Sequence, residues 1–198
     1  MKIGFIGFGS LGTAIVKNLL SKNYEIVGWN RTKEKLLTLP IEQVATPREV
    51  IQNTDIVILN LFDSIAVEEV LNGSNGLLSA EIEGKIIIDT TTNHFEEVLK
   101  FHSLVESNGG SYLEAPVLGS VVPASQGMLT ILVSGEKEAY DRANSILNSI
   151  GKIIYFLEEP GLATKMKLVN NLVLGSFMAT IAEAVALGEA VGIRKEKV

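Results

Sequence analysis

The chain has 198 residues, 46% of them hydrophobic and 20% charged, enough for one large globular domain or one domain plus a fragment. A formal net charge of -6 and a pI of about 5.0, with no basic stripe carrying interleaved aromatics, argue against a nucleic-acid partner. Cysteine is absent and histidine occurs twice, which excludes disulfides, cysteine nucleophiles and Cys- or His-rich metal sites, so no metal is expected.

The opening "MKIGFIGFG" has the lysine and apolar run of a signal peptide, but glycines at 4, 7, 9 and 12 break the run and no small-residue cleavage site follows. The uncharged run at 168–182 is 15 residues long and contains two asparagines. That is short of the roughly 20 residues needed to cross a bilayer. No membrane association and a cytoplasmic location are expected.

Taken in order, "KIGFIG" (2–7) predicts a strand, 11–22 an amphipathic helix and "EIVGWN" (25–30) a second strand. A short helix over 32–39 ends at Pro40. The nearly continuous apolar runs at 55–61 and 85–90 read as buried parallel strands. A helix over 94–108 and a strand over 111–117 follow, then a strand over 127–135, a helix over 137–150 and a strand over 152–157. His94 and His102, eight apart on the predicted 94–108 helix, are expected at its surface, and Trp29 in the core or near an adenine. This alternation predicts an α/β fold with a doubly wound, mostly parallel sheet and helices on both faces.

One long helix running on from Gly161 breaks the alternation. It is apolar around most of its circumference and therefore needs partners on several sides. Residues 1–160 cover only part of it, so either another chain covers the rest or a further domain does. The expected division is a nucleotide-binding domain over 1–160 and, over 161–198, a helix that begins an all-helical domain.

Gly7-x-Gly9-x-x-Gly12 stands directly after a strand and opens a helix. One glycine makes the tight turn, the next lets backbone approach a pyrophosphate, and the third lets helix and strand pack closely. The helix N-terminus, with Ser10 and Leu11, then offers N–H groups and a positive dipole end to phosphates. The same glycines also suit an ordinary tight βα turn. At the end of the second strand, eighteen residues past Gly12, "GWNRT" has Asn30 where an NAD-preferring fold carries an acidic residue. Asparagine removes the charge that repels a 2′-phosphate, Arg31 offers a planar fork of donors and Thr32 a hydroxyl. NADP(H) is therefore expected in preference to NAD(H), the bland alternative being a surface arginine that starts a helix.

In "GLATKMKLVNN", Lys165 and Lys167 are two apart and point roughly 200° away from each other, whereas Lys167 and Asn171 are four apart and share a helix face. Lys165 is expected in solvent. Alone, Lys167 also reads as a snorkelling lysine at a helix start.

Three segments taken with the glycine turn make the chain resemble the β-hydroxyacid dehydrogenase family, whose nucleotide domain is of the 6-phosphogluconate dehydrogenase type. The resemblance runs from Met1 to about Gly192. "IIIDTTTN" is similar to the family's Asp-x-Ser-Thr segment, with Asp89, Thr91 and Thr92 in matching places. This implies hydroxyls near the nicotinamide end of the cofactor, although three threonines after a strand also serve as a turn and cap. "LEAPVLGSVVPASQGMLTILVSG" resembles the substrate loop, with Glu114, Ala115, Pro116, Val117 and Gly119 in register. The family's serine is replaced by Leu118, so the substrate carboxylate loses a hydroxyl. Backbone N–H groups of Gly119 and Ser120, with the Ser120 hydroxyl, are the remaining anion donors there, and Leu118 equally suits a bulkier or less polar substrate.

The last segment matches the one that carries the catalytic lysine. The resemblance implies Lys167 as proton donor and Asn171 as its partner, with Asn170 at the substrate. Leu61, closing the strand at 55–61, joins the implied cofactor contacts. The implied fold is a Rossmann-like domain followed by the largely missing helical domain, assembled as a homodimer or tetramer. The implied function is an NADPH-dependent oxidoreductase that reduces a small aldehyde or 2-oxo acid, of the semialdehyde or glyoxylate class, to the hydroxy acid. The alternatives are a non-catalytic NADP(H)-binding oligomerisation module and a reductase of bulkier carbonyls or imines.

Overall fold

The apolar runs Ile56–Leu59 and Ile86–Asp89 lie side by side at the centre of a nine-stranded sheet in the computed structural model, which describes residues 2–197. The first half of the chain is β1 (Lys2–Ile6), α1 (Ser10–Ser21), β2 (Glu25–Trp29), β3 (Glu42–Gln43), α2 (Pro47–Gln52), β4 (Ile56–Leu59) and α3 (Ser64–Asn72). Then come β5 (Ile86–Asp89), α4 (Phe95–Ser107), β6 (Ser111–Glu114), β7 (Val117–Leu118) and α5 (Val121–Ser125). The last elements are β8 (Leu129–Gly135), α6 (Lys137–Ile150), β9 (Gly151–Phe156) and α7 (Leu162–Ala190), the latter 29 residues long.

The sheet order is β3-β2-β1-β4-β5-β6-β8-β7, with β9 also paired to β8. Every pairing is parallel except those of β8 with β6 and with β7. The central strands are apolar on both faces because both faces are covered. Ile56, Ile58, Ile86 and Ile88 pack with α1 and α6 residues such as Ile15 and Ile146. Val57, Leu59 and Ile87 pack oppositely with Val67, Val98 and Phe101. The period of two divides one run between two cores, each such side chain contributing about 2 kcal/mol of burial.

Several elements depart from the sequence reading. Residues 32–39 form only a 3₁₀ turn at Lys33–Leu36, since Leu36 and Leu39 alone are buried and cannot hold a longer helix. The segment 111–117 is split into β6 and β7 at Ala115-Pro116, where proline has no N–H for a ladder. Three unread helices carry local signals. α2 is capped by Thr46, whose Oγ1 accepts the Glu49 N–H while Glu49 Oε2 accepts the Ala45 N–H, and starts at Pro47; α3 is capped by Asp63, and five-residue α5 follows Ser120. His102 is buried rather than at the surface. Finally, α7 is long and apolar enough to cross a membrane by length and composition, because it extends on both sides of the uncharged run; only 6% of an 18-residue apolar stretch within it is buried.

Candidate active site

Strand order reverses across β1, which has β2 on one side and β4 on the other, and a cleft of about 510 Å³ opens where these strands end. Its floor is the glycine turn. Gly7 has φ 103°, and a Cβ there would lie 2.1 Å from the Asn60 carbonyl oxygen. A Cβ on Gly12 would lie 2.0 Å from the Gly7 oxygen, so this glycine sets how closely α1 meets β1 and does not itself line the cleft. Gly9 differs: a Cβ there would meet nothing within 4 Å. The space above Gly9 is the space a pyrophosphate needs. Where α2, α3 and α4 carry side-chain caps, α1 begins at Gly9 with no side-chain cap and no acid in its first turn. Its positive end faces the cleft beside Ser10 and Leu11. These residues fit a dinucleotide.

Asn30 lines the cleft, but its side chain is committed. Its Oδ1 accepts the Phe8 N–H at 2.8 Å and its Nδ2 donates to the Thr32 carbonyl at 2.8 Å. Asn30 thus ties the glycine turn to the loop that presents Arg31 and Thr32, both exposed at the same end of the cleft. Lys35 lines that end too and was not read from the sequence, although the "RTKEK" spacing places it one turn beyond Arg31. Trp29, half-buried, lines the cleft and donates its indole N–H to the Ala45 carbonyl at 3.0 Å.

The opposite wall is a polar network at the ends of β4 and β5. Asn60 Nδ2 donates to Thr90 Oγ1 at 2.9 Å, and Thr90 Oγ1 donates to the Leu59 carbonyl. The Thr91 hydroxyl accepts the Leu61 N–H at 3.0 Å and keeps its own O–H; buried Thr91, exposed Thr92 and Leu61 all line the cleft. Asp89 anchors this turn from below, accepting from the Thr91 N–H, Asn93 Nδ2 and the Tyr112 hydroxyl. Burial pushes the Asp89 carboxyl up against the pull of those donors, and raises the Tyr112 phenol as well. Phe62, 93% exposed at the rim, was also missed; its position just past a central strand was the available signal.

Lys167 enters the cleft from α7. It is half-buried, its Nζ donates to the Val117 carbonyl at 2.8 Å, and burial pushes its ammonium below the ordinary 10.5. Lys165 points to solvent. Gly119 lines the cleft beside Val117 and has φ 126°. The structure does not bring the remaining substrate candidates together there. Half-buried Leu118 pairs with Thr130 of β8, Ser120 is exposed at the start of α5, Asn170 is half-buried, and Asn171 is exposed one turn beyond Lys167. None of these four lines the cleft.

The first turn of α7 is held by Glu114 and Ser134, neighbours across the β6–β8 pairing. Glu114 accepts the Gly161 N–H, the Thr164 N–H (2.9 Å) and the Thr164 hydroxyl, while Ser134 Oγ accepts the Ala163 N–H at 3.1 Å. Burial raises the Glu114 carboxyl and the Thr164 and Gly161 donors oppose it. His102, 3% exposed, has Nε2 3.9 Å from Glu114, and neither ring nitrogen makes a hydrogen bond among the described residues. Burial lowers its pKa to about 4, so it is neutral at pH 7.

Fold, glycine turn and cleft define a dinucleotide-binding α/β domain of the Rossmann type. Residues 2–158 match the model of the NAD binding domain of 6-phosphogluconate dehydrogenase, and the chain belongs to that family. It is 40% identical over 195 residues to the cytokine-like nuclear factor N-PAC of Homo sapiens, covering 96% of this chain and 35% of that protein. It is 34% identical over 196 residues to glyoxylate/succinic semialdehyde reductase 2, chloroplastic, of Arabidopsis thaliana, covering 98% of this chain and 55% of that one. The chain therefore spans about a third to a half of the curated relatives it matches. Among solved structures, Psf3 in complex with NADP+ and 2-OPP superposes with a TM-score of 0.90 at 28% identity, over 97% of this chain and 69% of that one.

Proposed function

We propose that the protein is an NADPH-dependent reductase of small aldehydes or 2-oxo acids, with Lys167 as proton donor. The observation that carries this reading is a half-buried lysine of lowered pKa lining the same cleft as the uncapped glycine turn. The nicotinamide, when bound, supplies hydride to the carbonyl carbon. The backbone at Gly9, Ser10 and Leu11 holds the pyrophosphate, and Gly7 and Gly12 keep that turn close. Arg31, Thr32 and Lys35 take the 2′-phosphate and set preference for NADP(H), while Leu61, Thr91 and Thr92 shape the nicotinamide end. Lys167 holds its proton on Nζ toward the substrate oxygen and releases it as charge develops there, helped by a partly dry cleft. Gly119 leaves backbone open to the substrate, and Asn171, one turn beyond Lys167 on the same helix face, is the proposed partner of the lysine, with Asn170 beside it.

The proposed division is a nucleotide domain over 1–160 and an interdomain helix over 161–198. The exposed apolar length of α7 is proposed to be covered by protein, in a homodimer or tetramer located in the cytoplasm; Lys165, Lys167, Glu183 and Glu189 flank its uncharged run.

A second reading, a non-catalytic NADP(H)-binding module, is favoured by Asn171 lying outside the cleft and by relatives named as nuclear factors. NADPH oxidation by the entire gene product, offered glyoxylate, succinic semialdehyde, tartronate semialdehyde and bulkier aldehydes or imines, separates the two. Turnover with the small carbonyls is expected; tight NADPH binding with no turnover on any of them favours the module.

A further inference from the structure

We propose that Glu114 is a positioning residue for the reaction, setting the placement of Lys167 by closing the first turn of α7. This rests on the reading of Lys167 as proton donor. Past its first turn α7 is exposed along most of its length, with only Ala163, Thr164 and Gly188 buried, so its placement on the sheet is fixed where it begins. That beginning has no side-chain cap of its own: Gly161 occupies the position, with φ 88°. The cap comes instead from across the fold. The antiparallel register sets Glu114 beside Ser134, and the pair takes the N–H groups of Gly161, Ala163 and Thr164. A buried carboxylate on the positive end of a long helix is a strong, directional tie.

The tie reaches the chemistry because two contacts run in parallel. Thr164 and Lys167 are three apart on α7 and share a face. Glu114 ends β6 and Val117, three residues on, begins β7. Glu114 binds Thr164 and Val117 binds Lys167, each pair separated by 50 residues in sequence. One short segment thus holds both the anchor and the lysine, and loss of the anchor lets the Lys167 ammonium move relative to the cleft without touching the glycine turn that holds cofactor.

The test compares Glu114→Gln, Thr164→Val, the double variant and Lys167→Ala in the entire gene product. The readouts are kcat, KM, the NADPH Kd, and hydrogen exchange of a peptide covering 159–170. Glu114→Gln is expected to lower kcat about tenfold or more with NADPH Kd changed less than about twofold, and to speed exchange of the peptide. Thr164→Val should do the same more weakly, and the double variant should be no worse than Glu114→Gln alone, because the hydroxyl lost in Thr164→Val has Glu114 as its partner. Unchanged kcat in the Glu114 and Thr164 variants, with turnover abolished in Lys167→Ala, overturns the proposal and leaves the reductase reading intact. Loss of NADPH affinity in proportion to kcat also overturns it, since Glu114 then merely supports the domain. Should Glu114→Gln not fold, unaltered kcat in Thr164→Val overturns it alone. Full turnover in Lys167→Ala sinks the reductase mechanism, and this proposal with it.

Discussion

Lys167 donates to the main-chain carbonyl of Val117 at 2.8 Å, so a residue of α7 and the first residue of β7 share one hydrogen bond in the cleft. That bond holds Nζ in the cleft without an opposite charge. Burial then lowers its pKa with no carboxylate to raise it. Carbonyl reduction needs the ammonium form, so kcat/KM should fall as pH rises through a pKa below 10.5. Lys167→Arg should abolish that limb, because guanidinium keeps its proton throughout the range. A pH–rate profile of both proteins checks this, and a limb that persists in Lys167→Arg assigns the titration elsewhere.

The three glycines of the turn should separate by substitution. Gly12→Ala drives a Cβ against backbone and is expected to destabilise the fold by about 3 kcal/mol or more, near 10 °C in Tm. Gly9→Ala enters open space at an ordinary φ of -70°, so Tm should hardly move. Its methyl stands where phosphate must approach, and NADPH affinity should drop about tenfold. Thermal melts beside cofactor titrations read both quantities.

Arg31→Ala should weaken NADPH by about 10- to 100-fold, a charged hydrogen-bond pair's worth, and leave NADH within about twofold. Lys35→Ala should act the same way but less, as a point charge without a fork. Tighter binding of NADH than NADPH by the unaltered protein contradicts the cofactor preference.

His102 gives a pH dependence of stability. An unfolded histidine titrates near 6.5 and folded His102 at about 4, so between those values the unfolded chain binds more protons. Its contribution is therefore intact above about pH 6.5 and is lost as pH falls toward 4, by about 3 kcal/mol. Asp89 and Glu114, whose carboxyls burial raises, act in the opposite sense. The difference between the protein and its His102→Leu variant isolates the histidine. Denaturation at pH 7 and pH 4.5 should show the variant losing less, and equal losses refute a buried neutral His102.

Much of the frame was legible because its signals are local. Period-two apolar runs, the glycine spacing and strand-helix alternation each lie within about twenty residues, and together they gave the sheet and its nucleotide edge. Where the reading failed, the deciding contact was distant. The 94–108 pattern could not show that His102 faces Tyr112 and Glu114, and nothing near Gly161 indicates that its helix is capped from 47 residues upstream. Asn30 shows another limit. The residue type suggested a missing charge at the ribose but could not show that its amide bonds Phe8 and Thr32. Thr91 does line the cleft, but the bond its hydroxyl accepts from the Leu61 N–H was not legible in the spacing. Spacing locates a side chain on an element, but not which of two nearby partners takes its hydrogen bond.

The most direct test of the central claim is kcat for NADPH-dependent carbonyl reduction in the protein and its Lys167→Ala variant, with NADPH Kd measured on both. A loss of about 10²- to 10⁴-fold in kcat at nearly unchanged Kd is predicted for removal of a general acid. Equal turnover by the two proteins would contradict it.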